Sequence, residues 1–164
     1  MNKILPLVLA LAAADVARAQ TIYTVSLNGT QEFPVNASPA TGSGTFTLNL
    51  DNTLSYNISY SGLLGDWSAS HIHGPAGPGT NAGVIFPLNN NPIDTHSGTL
   101  SGITPALTAS QLNALNGGLW YANIHSTPSF SGGEIRGQLV PEPSTLALLG
   151  LGMGALVWRL RRRE

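Results

Sequence analysis

Cysteine is absent from this chain, and charged side chains make up only 9% of its 164 residues. The first absence excludes disulfides, thiolate catalysis and cysteine-ligated zinc. The second is sharper in the middle of the chain, where Arg136 is the only Lys or Arg between residues 20 and 140. Against it stand Glu32, Asp51, Asp66, Asp94 and Glu134. One cation cannot neutralise a row of phosphates, which excludes nucleic acid as a partner. Histidine is also scarce, with His71, His73, His96 and His125 the full set. There is no repeat at solenoid or propeller spacing, and no Gly-x-Ser-x-Gly elbow. Ser70, Ser126 and Asp66 lie near histidines along the chain, but proximity in sequence does not make a hydrolytic triad.

The ends carry signals of transport. Met1-Asn-Lys3, an apolar run from Ile4 to Ala14 and Ala17-Arg18-Ala19 ahead of Gln20 follow the order of a secretory signal peptide. Residues 1–19 are expected to be removed, leaving Gln20 as the mature N-terminus. The chain closes on VPEPSTLALLGLGMGALVWRLRRRE, an apolar stretch from Leu146 to Trp158 backed by Arg159, Arg161, Arg162 and Arg163. That stretch is shorter than the roughly 20 residues of a spanning helix, and Ser144, Thr145 and a snorkelling Arg159 extend it. The arginines hold this end in the cytoplasm. The expected organisation is a signal peptide over 1–19, one β domain over 20–140, and a sorting and transmembrane tail over 141–164.

The middle reads as short strands. In GTFTLNL, Phe46, Leu48 and Leu50 alternate with polar neighbours. After Asp51-Asn52, Leu54, Tyr56, Ile58 and Tyr60 alternate again, which predicts a β-hairpin. Further strands are expected over 22–27, 69–73, 84–88, 98–103, 119–125 and 134–139. One short helix interrupts them: Thr108-Ala-Ser-Gln111 has the form of a capping box, Leu112 and Leu115 supply an apolar stripe, and Gly117-Gly118 ends it. The fold class is all-β, an antiparallel Greek-key sandwich or barrel with one short helix. Without disulfides, an exported domain of this kind stands on its core alone.

Strand alternation points residues i and i+2 to one face. His71 and His73 therefore point together, as do Tyr121, Asn123 and His125, and as do Glu134 and Arg136. If these strands are neighbours, three imidazoles, a carboxylate and the domain's one guanidinium meet. Neutral imidazoles on one face suit copper or zinc, so His71, His73 and His125 are candidate metal ligands. The other reading is a structural polar cluster in which the histidines bond one another, Asn123, Glu134, Arg136 and the backbone. Either reading requires partners for every buried polar group. His96, in DTHSG, is the remaining histidine able to bridge or complete a site.

Two resemblances add to this. Pro141-Glu142-Pro143, the apolar segment and the basic tail resemble the PEP-CTERM sorting signal of exopolysaccharide-producing Gram-negative bacteria. That resemblance implies an exosortase-type processing enzyme as partner and a transient membrane anchor through the tail. His71-Ile-His73-Gly74-Pro75, Tyr121-Ala-Asn123-Ile-His125 and Gly133-Glu134-Ile-Arg136-Gly137-Gln138-Leu139, in this order, resemble the CHRD domain, the module named from chordin. The family implies an extracellular β-rich domain. A fainter likeness is to Cu/Zn superoxide dismutase, in the order of His71, His73, His125 and Arg136, although its disulfide cysteines and dense run of zinc ligands are missing here. The leading expectation is an exported, surface-sorted, non-catalytic module of a bacterial matrix or envelope, with exopolysaccharide or other matrix components as partners. The alternative is a copper or zinc protein with superoxide dismutase-like redox activity.

Overall fold

Alternation builds the sheet, and glycine lets its strands approach. The structure, a computed structural model, describes residues 20–142. The expected signal peptide and the tail from Pro143 onward lie outside these residues. Strands β1 (Thr21–Asn28), β2 (Thr41–Leu48) and β3 (Leu54–Ser61) form an antiparallel ladder. Its register sets Tyr23, Phe46 and Tyr56 in one row and Val25, Gly44 and Ile58 in the next. A Cβ on Gly44 would lie 2.2 Å from the Asn57 carbonyl oxygen, so only glycine fits that crossing. The hairpin turn holds Asn52 at a φ of 65°, and the Asp51 carboxylate accepts from the Thr53 backbone N–H and hydroxyl.

The remaining strands are β4 (Asp66–His73), β5 (Val84–Pro87), β6 (Asn90–Pro92), β7 (Gly98–Ile103), β8 (Tyr121–Thr127), β9 (Phe130–Gln138) and β10 (Val140–Pro141). All belong to one antiparallel sheet of order β5-β4-β8-β9-β1-β2-β3-β7-β6, with β10 paired to β1. The connections β3 to β4, β5 to β6 and β7 to β8 cross from one half of the sheet to the other, so it curls into a half-barrel. Its two ends are laced together by backbone bonds. Trp67 N donates to Thr95 O at 2.7 Å, while the 88–89 segment reaches from Ser70 O, 2.9 Å from Leu88 N, to Ser101 N, 3.2 Å from Asn89 O.

Side chains from both halves fill the interior. Phe46, Ile58, Leu100, Ile72, Ile124 and Ile135 are all 0% exposed, each contributing roughly 1.5 to 3 kcal/mol on burial. Helix α1 (Ala109–Asn116) begins at the expected capping box and is C-capped by Gly117. Its Leu115 joins the core. Among the described residues no helix is long and apolar enough to cross a membrane.

The all-β, antiparallel architecture with a single short helix is as the sequence implies; the bounds differ in places. Leu50 lies beyond β2 and is 63% exposed, because the chain has already turned. β2 instead begins at Thr41, in a Thr-Gly-Ser-Gly run with no apolar alternation to reveal it. β9 starts at Phe130 and not at Glu134. The sheet also runs past Val140: β10 includes Pro141, and Glu142 N donates to Ile22 O at 2.9 Å.

Candidate functional site

The site follows from the order of three strands. β8 lies between β4 and β9, and its register sets His71 opposite Asn123 and Asn123 opposite Arg136. In the next row His73 faces Tyr121, and Tyr121 faces Gln138. Period-two alternation turns all of these to one face, with Ile72, Ala122, Ile124 and Ile135 turned to the core. His125 stands two residues beyond Asn123 on the same strand. The three imidazoles expected to meet do so: one ring nitrogen from each of His71, His73 and His125 lies within 4.8 Å of the others.

Hydrogen bonds fix the rings. His73 Nδ1 lies 2.9 Å from Ala82 O, and His125 Nδ1 lies 2.8 Å from Ser131 O. A carbonyl only accepts, so each of these nitrogens carries the proton and leaves its Nε2 lone pair free. His71 Nδ1 lies 3.2 Å from His125 Nε2 and donates to it. His73 Nε2 is buried with no hydrogen-bond partner, and so is Asn123 Oδ1. Burial, and the mutual repulsion of the rings, hold His71 and His125 below the usual imidazole range.

Beside the imidazoles is a stack. The Tyr121 ring lies parallel to His73, with centroids 4.9 Å apart and an interplanar angle of 4°. The Arg136 guanidinium sits 3.4 Å over the same ring. Arg136 donates to Asn81 Oδ1 at 3.1 Å and to Gly77 O at 3.2 Å, and Gln138 Nε2 donates to Ala76 O at 2.8 Å. With His73 holding Ala82 O, four points pin the 74–83 loop onto the polar face. The Gly-Pro-rich segment after His73 is thus clamped by the side chains beneath it.

Glu134 does not belong to this arrangement. The pairing of β8 with β9 slips between Ile124 and Ser126, and across that irregularity alternation no longer tells where Glu134 turns. Its fully buried carboxylate accepts from Ser38 Oγ at 2.6 Å, from Leu64 N at 2.7 Å and from the Ser126 hydroxyl. No hydrogen bond or ion pair joins it to Arg136. The carboxylate that Arg136 feels is Glu32, which the sequence left unassigned. Burial pushes Glu32 up to about 7, against the pull of the Phe33 backbone N–H and of Arg136. Gly133, at a φ of 132°, makes room for it, since a Cβ there would lie 2.4 Å from Glu32 Oε1. Only its status as one of few acids marked Glu32; nothing in the sequence tied it to β9.

His96 does not complete the cluster. It is exposed between β6 and β7, bonded through Nδ1 to Thr95 Oγ1 at 2.9 Å. Ser70 and Ser126 are buried and committed to Leu88 O and Glu134, so neither serves a histidine. Of the sorting triplet, Pro141 and Glu142 are exposed at the sheet edge, and Pro143 lies outside the described residues.

Comparison with known proteins agrees with these landmarks. The CHRD domain matches residues 23–139, and a PEP-CTERM protein-sorting motif matches residues 139–163. No curated protein and no solved structure matches the chain. The sorting motif marks an exported, envelope-directed protein and a substrate for exosortase-type processing. With the first match spanning β1 to β9 and the residues that clamp the 74–83 loop, the chain belongs to the CHRD-domain family.

Proposed function

We propose that this chain is a non-catalytic module of the bacterial extracellular matrix that binds neutral polysaccharide through the outer face of β1, β2, β3 and β7. The observation that carries this reading is the chemistry of that face. Its register aligns Thr24, Thr45, Asn57 and Ser101 in one row and Ser26, Ser43, Ser59 and Thr99 in the next. All eight are exposed or half-buried, and none is charged. Hydroxyls and amides both donate and accept, as sugar hydroxyls do. Neighbours within a row stand about 4.8 Å apart from strand to strand, and the two rows about 6.8 Å apart along the strands, which presents a repeating surface to a repeating polymer, where many weak contacts add by multivalency. Before processing, the apolar tail anchors the chain in the inner membrane with its C-terminus in the cytoplasm.

The test has two arms. In the host, the chain should reach the matrix fraction only when the exosortase-type enzyme is present, and without it should stay unprocessed in the membrane. In vitro, the processed protein should co-sediment with exopolysaccharide from the same host. Thr45→Val with Ser59→Val, which removes hydroxyls while keeping β-compatible side chains, should weaken that binding without lowering the melting temperature. Equal binding by parent and double variant overturns the proposed surface.

A further inference from the structure

We infer that His71, His73 and His125 form a binding site for a divalent transition metal, Zn²⁺ or Cu²⁺. This goes beyond the matrix reading and stands or falls apart from it.

Geometry is the first support. A metal with bonds of about 2.0 to 2.1 Å to tetrahedral nitrogen ligands spaces those nitrogens about 3.3 Å apart, and His71 Nδ1 and His125 Nε2 lie 3.2 Å apart. Moving the His71 proton to its other nitrogen turns that hydrogen bond into two ligands facing one centre. The third nitrogen is already within 4.8 Å.

The outer hydrogen bonds are the second support. Metal-ligating histidines donate their other ring N–H to a carbonyl or carboxylate, which sets the tautomer and the ring plane. His73 to Ala82 O and His125 to Ser131 O have this form. Both carbonyls come from the backbone, so the two rings stay aimed even without a carboxylate nearby.

The third support is a pair of unmet needs. His73 is 9% exposed, and its Nε2 lone pair is buried with no donor. Asn123, 3% exposed, stands between Tyr121 and His125 on the same face, with Oδ1 likewise unpartnered. Leaving such acceptors unmatched costs about 1 to 3 kcal/mol each. A metal satisfies the first, and the second is an acceptor on the same face of the sheet. His71 and His125 are only half-buried, which gives the ion a path. The one nearby cation, Arg136, is on β9, with the Tyr121 ring of β8 between it and His73. Three imidazoles with no thiolate or carboxylate select borderline metals such as Zn²⁺ and Cu²⁺ over Ca²⁺ and Mg²⁺.

The experiment titrates the full chain, stripped with chelator, with Zn²⁺ or Cu²⁺, each alone. One equivalent should bind, and the melting temperature should rise with free metal by mass action. Bound Cu²⁺ should show nitrogen hyperfine coupling from imidazole in its electron paramagnetic resonance spectrum. His71→Gln and His125→Gln should each weaken binding at least tenfold, the loss already typical of removing an outer-shell partner. His96→Gln should bind as the parent does. Melting of the metal-free variants separates a lost ligand from a lost fold. Should a variant fail to fold, the stoichiometry and spectrum of the parent decide. Uptake well below one equivalent, a copper spectrum without imidazole nitrogen, or binding lost in His96→Gln overturns the site.

Discussion

The Arg136 guanidinium lies 3.4 Å above the Tyr121 ring while its two N–H arms hold Gly77 and Asn81 of the loop overhead. The side chain is 1% exposed, so its loss leaves two acceptors and an aromatic face without their partner. Arg136→Ala should cost roughly 2 to 4 kcal/mol, summing a cation–π contact with hydrogen bonds from a charged donor. Arg136→Lys should recover only part, because an ammonium lacks the planar fork that stacks and donates at once. Thermal unfolding followed by circular dichroism reads this directly. A parent-like melt for Arg136→Ala would mean the loop is not held from below.

Glu134 gives a different pattern of substitution. Its Oε1 accepts from Leu64 N and Ser38 Oγ, and its other oxygen from Ser126. Glu134→Gln keeps an oxygen for the Leu64 N–H and offers an NH₂ to a serine hydroxyl, which can accept. It should be mild, within about 1 kcal/mol, whereas Glu134→Ala strands two buried hydroxyls and the part-buried Leu64 N–H and should cost about 3 kcal/mol or more. A double-mutant cycle adds a check: coupling between Glu134 and Arg136 should be smaller than coupling between Glu32 and Arg136. The reverse order would restore the direct pairing that alternation alone suggests.

Glu32 makes stability depend on pH. Its folded pKa, raised by burial from 4.5 to about 7, means that the folded chain holds a proton the unfolded chain has released across that interval. Stability therefore falls as the pH rises from about 4.5 to 7, by at most about 1.4 kcal/mol per pH unit. The lowered pKa values of His71 and His125 act in the opposite sense, removing stability as the pH falls below 6.5. Comparison with Glu32→Gln isolates the carboxyl: the variant should gain on the parent steadily between pH 4.5 and 7 in chemical denaturation. A difference that does not change with pH would place Glu32 in water.

β10 is the last strand among the described residues. Chains from Gln20 to Glu142 and from Gln20 to Leu139 should both fold, since no core side chain is lost. The shorter one gives up the pairing of Val140 and Pro141 with β1 and the bond from Glu142 N to Ile22 O. At about 1 kcal/mol for these exposed bonds, its melting temperature should be lower by roughly 3 to 5 °C. Identical melts would show that the sheet gains nothing beyond β9.

Much of the fold was legible because apolar alternation is a local signal. Phe46, Tyr56 and Ile58 declare their face within a few residues, and Thr108 with Gln111 declares the helix start. The first half of β2 was not legible: Gly42 and Gly44 are there to let strands approach, and glycine also reads as a turn. The histidine face could be read because His71, His73, Tyr121, Asn123 and His125 lie where β4 and β8 pair without a slip, from Ala69 opposite His125 to His73 opposite Tyr121. Glu134 could not be placed, because the slip between β8 and β9 is a property of two strands together and neither carries it alone. Glu32 was missed for the same reason, since its environment is assembled from Gly133 and Arg136, about a hundred residues along the chain, once β9 folds against β1.

The short β10 also decides how the domain responds to load. Tension drawn from Glu142 enters at two residues paired on one side only, with Tyr23 and Thr24. These contacts stand between the load and β9, which is bonded to β8 along its length and to β1 at Asn28 and Arg136. Release of these three residues would add about 10 Å of extended chain and free the Thr24 hydroxyl from Val140 O, without touching the bonds that clamp the 74–83 loop. β10 is thus placed to yield first, ahead of the strands that carry the histidines and the hydroxyl face.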